Sequence, residues 1–171
     1  MSASAPDVVR PLAGWSVPVS AMVLAAWIGA TLYFSVVVTR AAFAVLPTRT
    51  MAGALVGRTL PILFDTGMLV GAVLVVAALL SPSGAGRSAS LAGGIAIAVL
   101  TALARLVILA RIDRIRASMP ANIDSLAVSD PSRRAFGQLH AMSVGALGLA
   151  MLVGLVVVIV LVHSLTTPAH D

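Results

Sequence analysis

The chain has 171 residues, of which 60% are hydrophobic and only 10% are charged, and its mean hydropathy is +1.08. A soluble domain is usually about 45–50% apolar and about 25% charged, so the composition excludes an ordinary water-soluble protein and indicates one embedded in lipid. The formal net charge of +5 comes from arginine alone, and the absence of cysteine excludes disulfides, thiolate metal sites and cysteine nucleophiles.

Four long apolar segments occupy most of the chain, at residues 17–38, 62–80, 91–109 and 141–162. Each is close to the roughly 20 residues that a helix needs to cross a bilayer. The pattern predicts an all-α fold: a polytopic membrane four-helix bundle with antiparallel up-down topology. We expect one integral membrane domain over residues 1–171.

The first helix is predicted over residues 17–46, after the interfacial aromatic Trp15 and before the breaker Pro47. A cleaved signal peptide is the alternative interpretation of this segment. Its apolar stretch is longer than the roughly 7–15 residues of a signal peptide, and only Arg10 precedes it. We therefore expect a retained spanning helix.

The second helix is predicted over residues 60–80, with Pro61 in its first turn and a separate short interfacial helix at 50–58. The turn sequence Ser-Pro-Ser-Gly-Ala-Gly at 81–86 joins it to a third helix over 89–119. After a polar loop at 120–131, the fourth helix is predicted over 132–164.

Arginine distribution predicts the orientation. One side of the membrane holds only Arg10 and Arg87, whereas the two connections on the other side hold eight arginines: Arg40, Arg49, Arg58, Arg111, Arg114, Arg116, Arg133 and Arg134. The positive-inside rule places these connections in the cytoplasm and both termini outside. Arginine-only, alanine-rich usage favours a bacterial source and hence the inner membrane.

The same arginines predict the partners. They flank apolar segments instead of following one polar face, so they indicate contacts with anionic lipid headgroups and not with nucleic acid. Small residues four apart allow helices to approach closely, and such pairs include Ala25 with Gly29, Gly67 with Gly71, and Ala141 with Gly145. These pairs fit a compact bundle, a homo-oligomer or a larger membrane complex.

Four polar residues, Asp65, Arg105, His140 and Ser143, are expected at one depth near the cytoplasmic side. At 1.5 Å per residue, Asp65 lies about 7 Å deep and Arg105 about 9 Å deep. Ionisable residues in a membrane usually face the bundle interior and pair, so Asp65 and Arg105 form the expected pair. We favour a structural pair over a ligand or proton site. Snorkelling of Arg105 and helix capping by Asp65 are the alternatives.

We expect no cofactor, no metal and no catalytic residues. His140 lacks a partner on a facing helix, and His163 lies about 34 Å along the same helix, so they do not share a haem or metal site. Four methionines in apolar helices are better explained as gap filling than as soft-metal ligands: Met22, Met68, Met142 and Met151. No phosphate loop, metalloprotease motif or serine elbow is present.

Several stretches resemble the transmembrane protein 205-like family. They are the first-helix motif of Trp27 and Gly29, the continuation at residues 52–61, and the His140-x-x-Ser143 that opens the last helix. The resemblance implies a four-helix membrane fold. The activity of that family is poorly defined, and its eukaryotic namesake is linked to platinum-drug resistance.

The first helix also looks distantly like copper-resistance protein D and the four-helix haem-dependent protoporphyrinogen oxidase. Those proteins carry a histidine one to two turns before the tryptophan, where this chain has residues 19–22 without histidine. The difference counts against haem or copper ligation.

Three function classes remain open. We favour a non-enzymatic membrane protein for export or tolerance of small toxic solutes or metals. The second class is an accessory subunit of a larger membrane complex, and the third is a haem- or metal-dependent membrane oxidoreductase.

The orientation is testable with reporter fusions after Arg49 and after Gly84. We expect cytoplasmic signal from the first fusion and external signal from the second, because eight arginines flank the helices on one side and two on the other. A cytoplasmic signal after Gly84 would contradict the predicted topology.

Overall fold

The computed structural model describes residues 9–81, 83–118, 126–127 and 129–166. Helices make up 93% of the structure, and no strand occurs among the residues described. This confirms the predicted all-α fold. Most of the predicted polar loop at 120–131, Pro82 in the first turn, and His170 lie outside the described residues.

The helical elements, in chain order, are α1 (Val9–Tyr33), a first π segment (Phe34–Val38), α2 (Thr39–Val45), α3 (Arg49–Leu80), α4 (Ala85–Leu103), a second π segment (Ala104–Leu109), α5 (Ala110–Ser118) and α6 (Pro131–Thr166). Four stretches are long and apolar enough to cross a membrane: Trp15–Val45, Arg49–Leu80, Ala85–Ser118 and Pro131–Thr166. We call them the first to fourth spans. The chain is thus a multi-pass membrane protein.

Local sequence explains where these helices begin and end. Leu46 leaves the helical region with φ −74° and ψ 141°, as expected for a residue before proline. Thr48 caps α3 by accepting a hydrogen bond from the Met51 amide at 3.2 Å. Gly84 precedes α4 with φ 156°, a conformation that L side chains rarely adopt. The Asp130 carboxylate accepts from the Ser132 and Arg133 amides at 2.8 and 3.2 Å and so caps α6.

The second helix is longer than predicted. Residues 50–58 do not form a separate interfacial helix, because α3 runs without a break from Arg49 to Leu80 with Pro61 inside it. Membrane helices tolerate an internal proline when neighbouring groups satisfy the freed backbone. The Thr48 cap therefore sets the helix start, and Pro61 does not.

The remaining boundaries lie near the predicted ones. The third helix was expected at 89–119 and occupies Ala85–Ser118, while the fourth was expected at 132–164 and occupies Pro131–Thr166. The first helix already includes Val9, eight residues before its predicted start.

The four spans pack in a ring in which each contacts its chain neighbours and the first contacts the fourth. The backbones of α3 and α4 approach each other closely. A Cβ on Gly71 would stand 2.6 Å from the Gly94 carbonyl oxygen, and a Cβ on Gly94 would stand 2.8 Å from the Gly71 carbonyl oxygen. Only glycine at both positions lets these two backbones lie so close.

Of the three predicted small-residue pairs, only Gly67 with Gly71 lies at a helix contact. A Cβ on Gly67 would meet Thr101 and Trp27 at 2.6 and 2.9 Å. By contrast, Gly29 and Gly145 have no neighbour within 4 Å of a built Cβ, and Ala25 and Ala141 are exposed. The other two pairs thus face away from the bundle on the first and fourth spans.

The glycine contact between α3 and α4 gives a stability prediction. Gly71→Ala should lower the unfolding free energy in mild detergent by about 1–3 kcal/mol, because the new methyl group must displace backbone. Thermal unfolding followed by circular dichroism measures the loss. Gly29→Ala is the matched control, since its new methyl group enters open space. Equal melting temperatures for the two variants would contradict the close contact.

A candidate ligand cavity at the arginine-rich end

The cavity lies between two helix pairs at one end of the bundle. We call this the arginine-rich end, because it carries the eight arginines of residues 40–58 and 111–134. Here α2 packs on α3, and α5 packs on α6. Between the pairs is a cavity of about 260 Å³ lined by residues of all four spans, among them Gly57, Ile112, Asp113, Arg116, Phe136 and His140. We call it the mouth cavity.

A second cavity of about 340 Å³ adjoins the first, farther from the arginine-rich end, and is partly open on the outer surface, where Leu32, Val144 and Gly148 are exposed. This deep cavity lies between the first and fourth spans, and its lining includes Phe34, Leu147, Gly148 and Met151. Both cavities share four lining residues: Thr39, Val56, Leu60 and His140. The shared lining makes them neighbouring chambers of one path.

The polar wall of the mouth cavity is a stack of three side chains. The rings of Phe136 and His140, one turn apart on α6, are nearly parallel at 3° with centroids 6.3 Å apart. The guanidinium carbon of Arg116 lies 5.5 Å from the Phe136 centroid, within cation–π range. The exposed Arg116 head group thus lies over the aromatic ring at the cavity.

Gly57 on α3 faces this stack from the opposite wall. A Cβ built on Gly57 would stand 2.9 Å from Nη1 of Arg116. The guanidinium therefore occupies space that any larger residue at this position would take. Gly53, one turn earlier, also lines the mouth cavity but has no atom within 4 Å of a built Cβ.

The deep cavity begins beside the first π segment. Phe34 is buried, and its carbonyl oxygen accepts from the Thr39 hydroxyl at 3.1 Å and from the Thr39 amide. This pairing satisfies the backbone of a widened turn next to the cavity. Single π turns inside α-helices occur frequently at functional sites.

Asp65 and Arg105 form the expected ion pair. Nε of Arg105 donates to Oδ1 of Asp65 at 2.9 Å. However, their side chains remain 35% and 49% exposed for Arg105 and Asp65, so the pair lies on the outer surface of the bundle and not in its interior. Asp65 does not cap its helix, because α3 begins 16 residues earlier, at Arg49.

The other two members of the predicted polar cluster lie elsewhere. His140 lines both cavities, whereas neither Asp65 nor Arg105 lines them. Ser143 is buried, and its hydroxyl donates to the His140 carbonyl of its own helix at 2.8 Å. The structure thus separates a surface ion pair from a cavity histidine.

The first-helix motif has one structural residue and one exposed residue. Trp27 is 5% exposed, and its Nε1 donates to the Leu63 carbonyl of α3 at 3.2 Å. It joins the first span to the second. Gly29 is exposed and has nothing within 4 Å of a built Cβ.

The candidate metal-ligating side chains do not form a cluster in the part of the chain that the structure describes. Within the described ranges, no three His, Cys, Asp or Glu side chains group closely enough to hold a metal ion. His140 and His163 lie on the same helix, α6, separated by 23 residues. At 1.5 Å per residue this spacing is about 34 Å.

Sequence inspection missed Arg116, Phe136 and Gly57. Arg116 belongs to a run of arginines that the positive-inside rule explains equally well. Two local signals were available: Phe136 and His140 four apart, and Gly53 and Gly57 four apart. Residues at that spacing share a helix face, but the spacing does not indicate which face meets a cavity.

The ion pair is testable with a double-mutant cycle. Asp65→Ala and Arg105→Ala should each destabilise the detergent-solubilised protein, and the double variant should lose less than the sum by about 0.5–1.5 kcal/mol. The modest size follows from the exposure of both side chains. Exchanging the two residues should restore part of the loss. Strictly additive losses would show that the two charges do not interact.

Comparisons with known proteins show the family of this chain. No curated protein matches it, and no solved structure matches it. A family model described as a domain of unknown function, DUF4149, matches residues 22–121, which include most of the first three spans, Gly57 and Arg116. Because the model covers more than half of the chain, the protein belongs to the DUF4149 family.

Proposed function

We propose that this protein binds small amphipathic solutes in the mouth and deep cavities and contributes to their export or tolerance. We place it in the inner membrane of a bacterium with the arginine-rich end in the cytoplasm, as the positive-inside rule predicts. The role is non-enzymatic. The observation that carries the proposal is the shared lining of a cavity that contains charged side chains and a more apolar cavity.

The lining chemistry supports an amphipathic ligand. Ligand sites in proteins are mostly apolar pockets with a few polar groups that fix orientation. The mouth cavity supplies Asp113, Arg116 and His140, whereas most of the deep cavity is lined by apolar side chains such as Leu147 and Met151. A solute with one polar end and one apolar end would match both chambers.

The resemblance to the transmembrane protein 205-like family supports a tolerance role, since the eukaryotic namesake of that family is linked to platinum-drug resistance. Organic solutes have more support than metal ions. The mouth cavity has Asp113 and His140 as its metal-ligating side chains, and a stable metal site usually needs at least three.

The second candidate is an accessory subunit of a larger membrane complex. The exposed pairs Ala25 with Gly29 and Ala141 with Gly145 favour it, because small residues usually lie at contacts between membrane helices. In this chain Gly29 and Gly145 have no atom within 4 Å of a built Cβ, and Ala25 and Ala141 are exposed.

Blocking the deep cavity tests the solute role. Cells are exposed to a panel of fluorescent amphipathic solutes. We expect cells that express the protein to accumulate less of some of these solutes than cells that do not express it. Gly148→Leu should abolish this reduction, since Gly148 lines the deep cavity and has open space around a built Cβ. Gly145→Leu, three residues away on the same helix and outside the cavities, should behave as wild type.

Two outcomes would contradict the solute role. One is unchanged accumulation of every solute on expression of the wild-type protein. The other is equal activity of the Gly148 and Gly145 variants. Stoichiometric co-purification of another membrane protein, lost in Gly145→Leu but not in Gly148→Leu, would instead support the accessory subunit.

A further inference from the structure

We infer that the mouth cavity selects an anionic single-chain amphiphile from the membrane, with its carboxylate or phosphate at Arg116 and its acyl chain in the deep cavity. The inference rests on the proposed function and names the chemistry of the ligand. It is carried by the position and charge of Arg116, by the charge of the arginine-rich end, and by the shape of the two cavities.

Arg116 places a positive charge at the wall of the mouth cavity. Its guanidinium stacks over Phe136 and abuts Gly57. The ion pair formed within the described residues joins Arg105 to Asp65, and it does not involve Arg116. A planar guanidinium held against an aromatic ring keeps its edge donors free for a carboxylate or phosphate, which it can bind through two hydrogen bonds.

The surrounding charge favours an anion over a cation. Residues 39–61 and 109–140 contain eight arginines and three aspartates, so their formal net charge is 8 − 3 = +5. Asp113 lines the same cavity as Arg116 and would oppose an anion. The excess of arginines outweighs this one carboxylate, because clustered charges of one sign raise the local concentration of ions of the opposite sign.

The cavity shape favours one acyl chain. The deep cavity has about 340 Å³ and is lined mainly by apolar side chains of the first and fourth spans. This is near the lower end of the range for sites that hold one small molecule. Its size and apolar lining suit a single acyl chain. The chain would point toward the middle of the membrane while its head group stays at Arg116.

The test compares ligands that share a chain and differ in head-group charge. Native mass spectrometry of the full-length protein in a non-ionic detergent is used to titrate oleate, 1-oleoylglycerol and inorganic phosphate. We expect oleate to bind at least about tenfold more tightly than 1-oleoylglycerol. Arg116→Gln should weaken oleate binding by about tenfold and leave 1-oleoylglycerol binding unchanged.

Arg114→Gln is the matched control. This substitution also removes one arginine charge, at a position two residues from Arg116. Arg114 lines neither chamber. The Arg114→Gln variant should retain the oleate preference within about twofold. A second matched pair keeps every charge: Gly57→Ala places a methyl group against the Arg116 guanidinium, whereas Gly145→Ala places one in open space outside both chambers. Only Gly57→Ala should reduce oleate binding.

The outcomes separate this inference from the proposed function. Equal binding of oleate and 1-oleoylglycerol, or an oleate preference that persists in Arg116→Gln, would overturn anion selection and leave amphipathic binding intact. Binding of phosphate without oleate would show a site for free anions and overturn the amphiphile. Binding of neither amphiphile would overturn the inference and remove the main support for the proposed function.

Discussion

The close contact between α3 and α4 at Gly71 and Gly94 is the constraint on which the rest of the bundle depends. Two facing glycines allow carbonyl groups of the two helices to approach where any side chain would separate them. In lipid, helix association relies on such packing, because apolar side chains gain little by leaving a solvent that is equally apolar. With this hairpin fixed, the first and fourth spans complete the ring.

At the arginine-rich end, the packing changes from a ring to two pairs. The arginine-rich end keeps the contacts of α2 with α3 and of α5 with α6, and the mouth cavity occupies the space between the pairs. The polar residues of the cavity are therefore supplied by helix ends that extend past the apolar segments. The two cavities therefore form an amphipathic path. The polar part of this path lies beyond the most apolar stretches of the helices, and its apolar part lies within those stretches.

Much of the fold could be predicted from the sequence, because lipid imposes simple rules on length and composition. Four apolar segments predicted four spans, Pro47 predicted the first break, and the depths of Asp65 and Arg105 predicted their ion pair. The start of α3 could not be predicted in this way. Thr48 and Pro61 are both acceptable near a helix start, and tertiary context decides between them.

The cavity was less predictable, since its side chains come from helices far apart in the sequence. Arg116 and Phe136 are 20 residues apart and meet only because α5 packs on α6. The exposure of the Asp65–Arg105 pair has a similar cause. Depth along a helix can be counted in residues, but the direction that a side chain faces depends on which neighbour the helix packs against.

The π segments of the first and third spans set the direction in which the side chains of α2 and α5 face. A residue of an α-helix turns the chain by about 100°, and a π turn accommodates one residue more than an α turn. Phe34–Val38 and Ala104–Leu109 therefore rotate α2 and α5 relative to a continuous α-helix. Removing one residue from the second segment would turn α5 by about 100° and carry Arg116 away from Phe136. The number of residues in each π segment therefore matters for the cavity as much as the identity of the residues that line it.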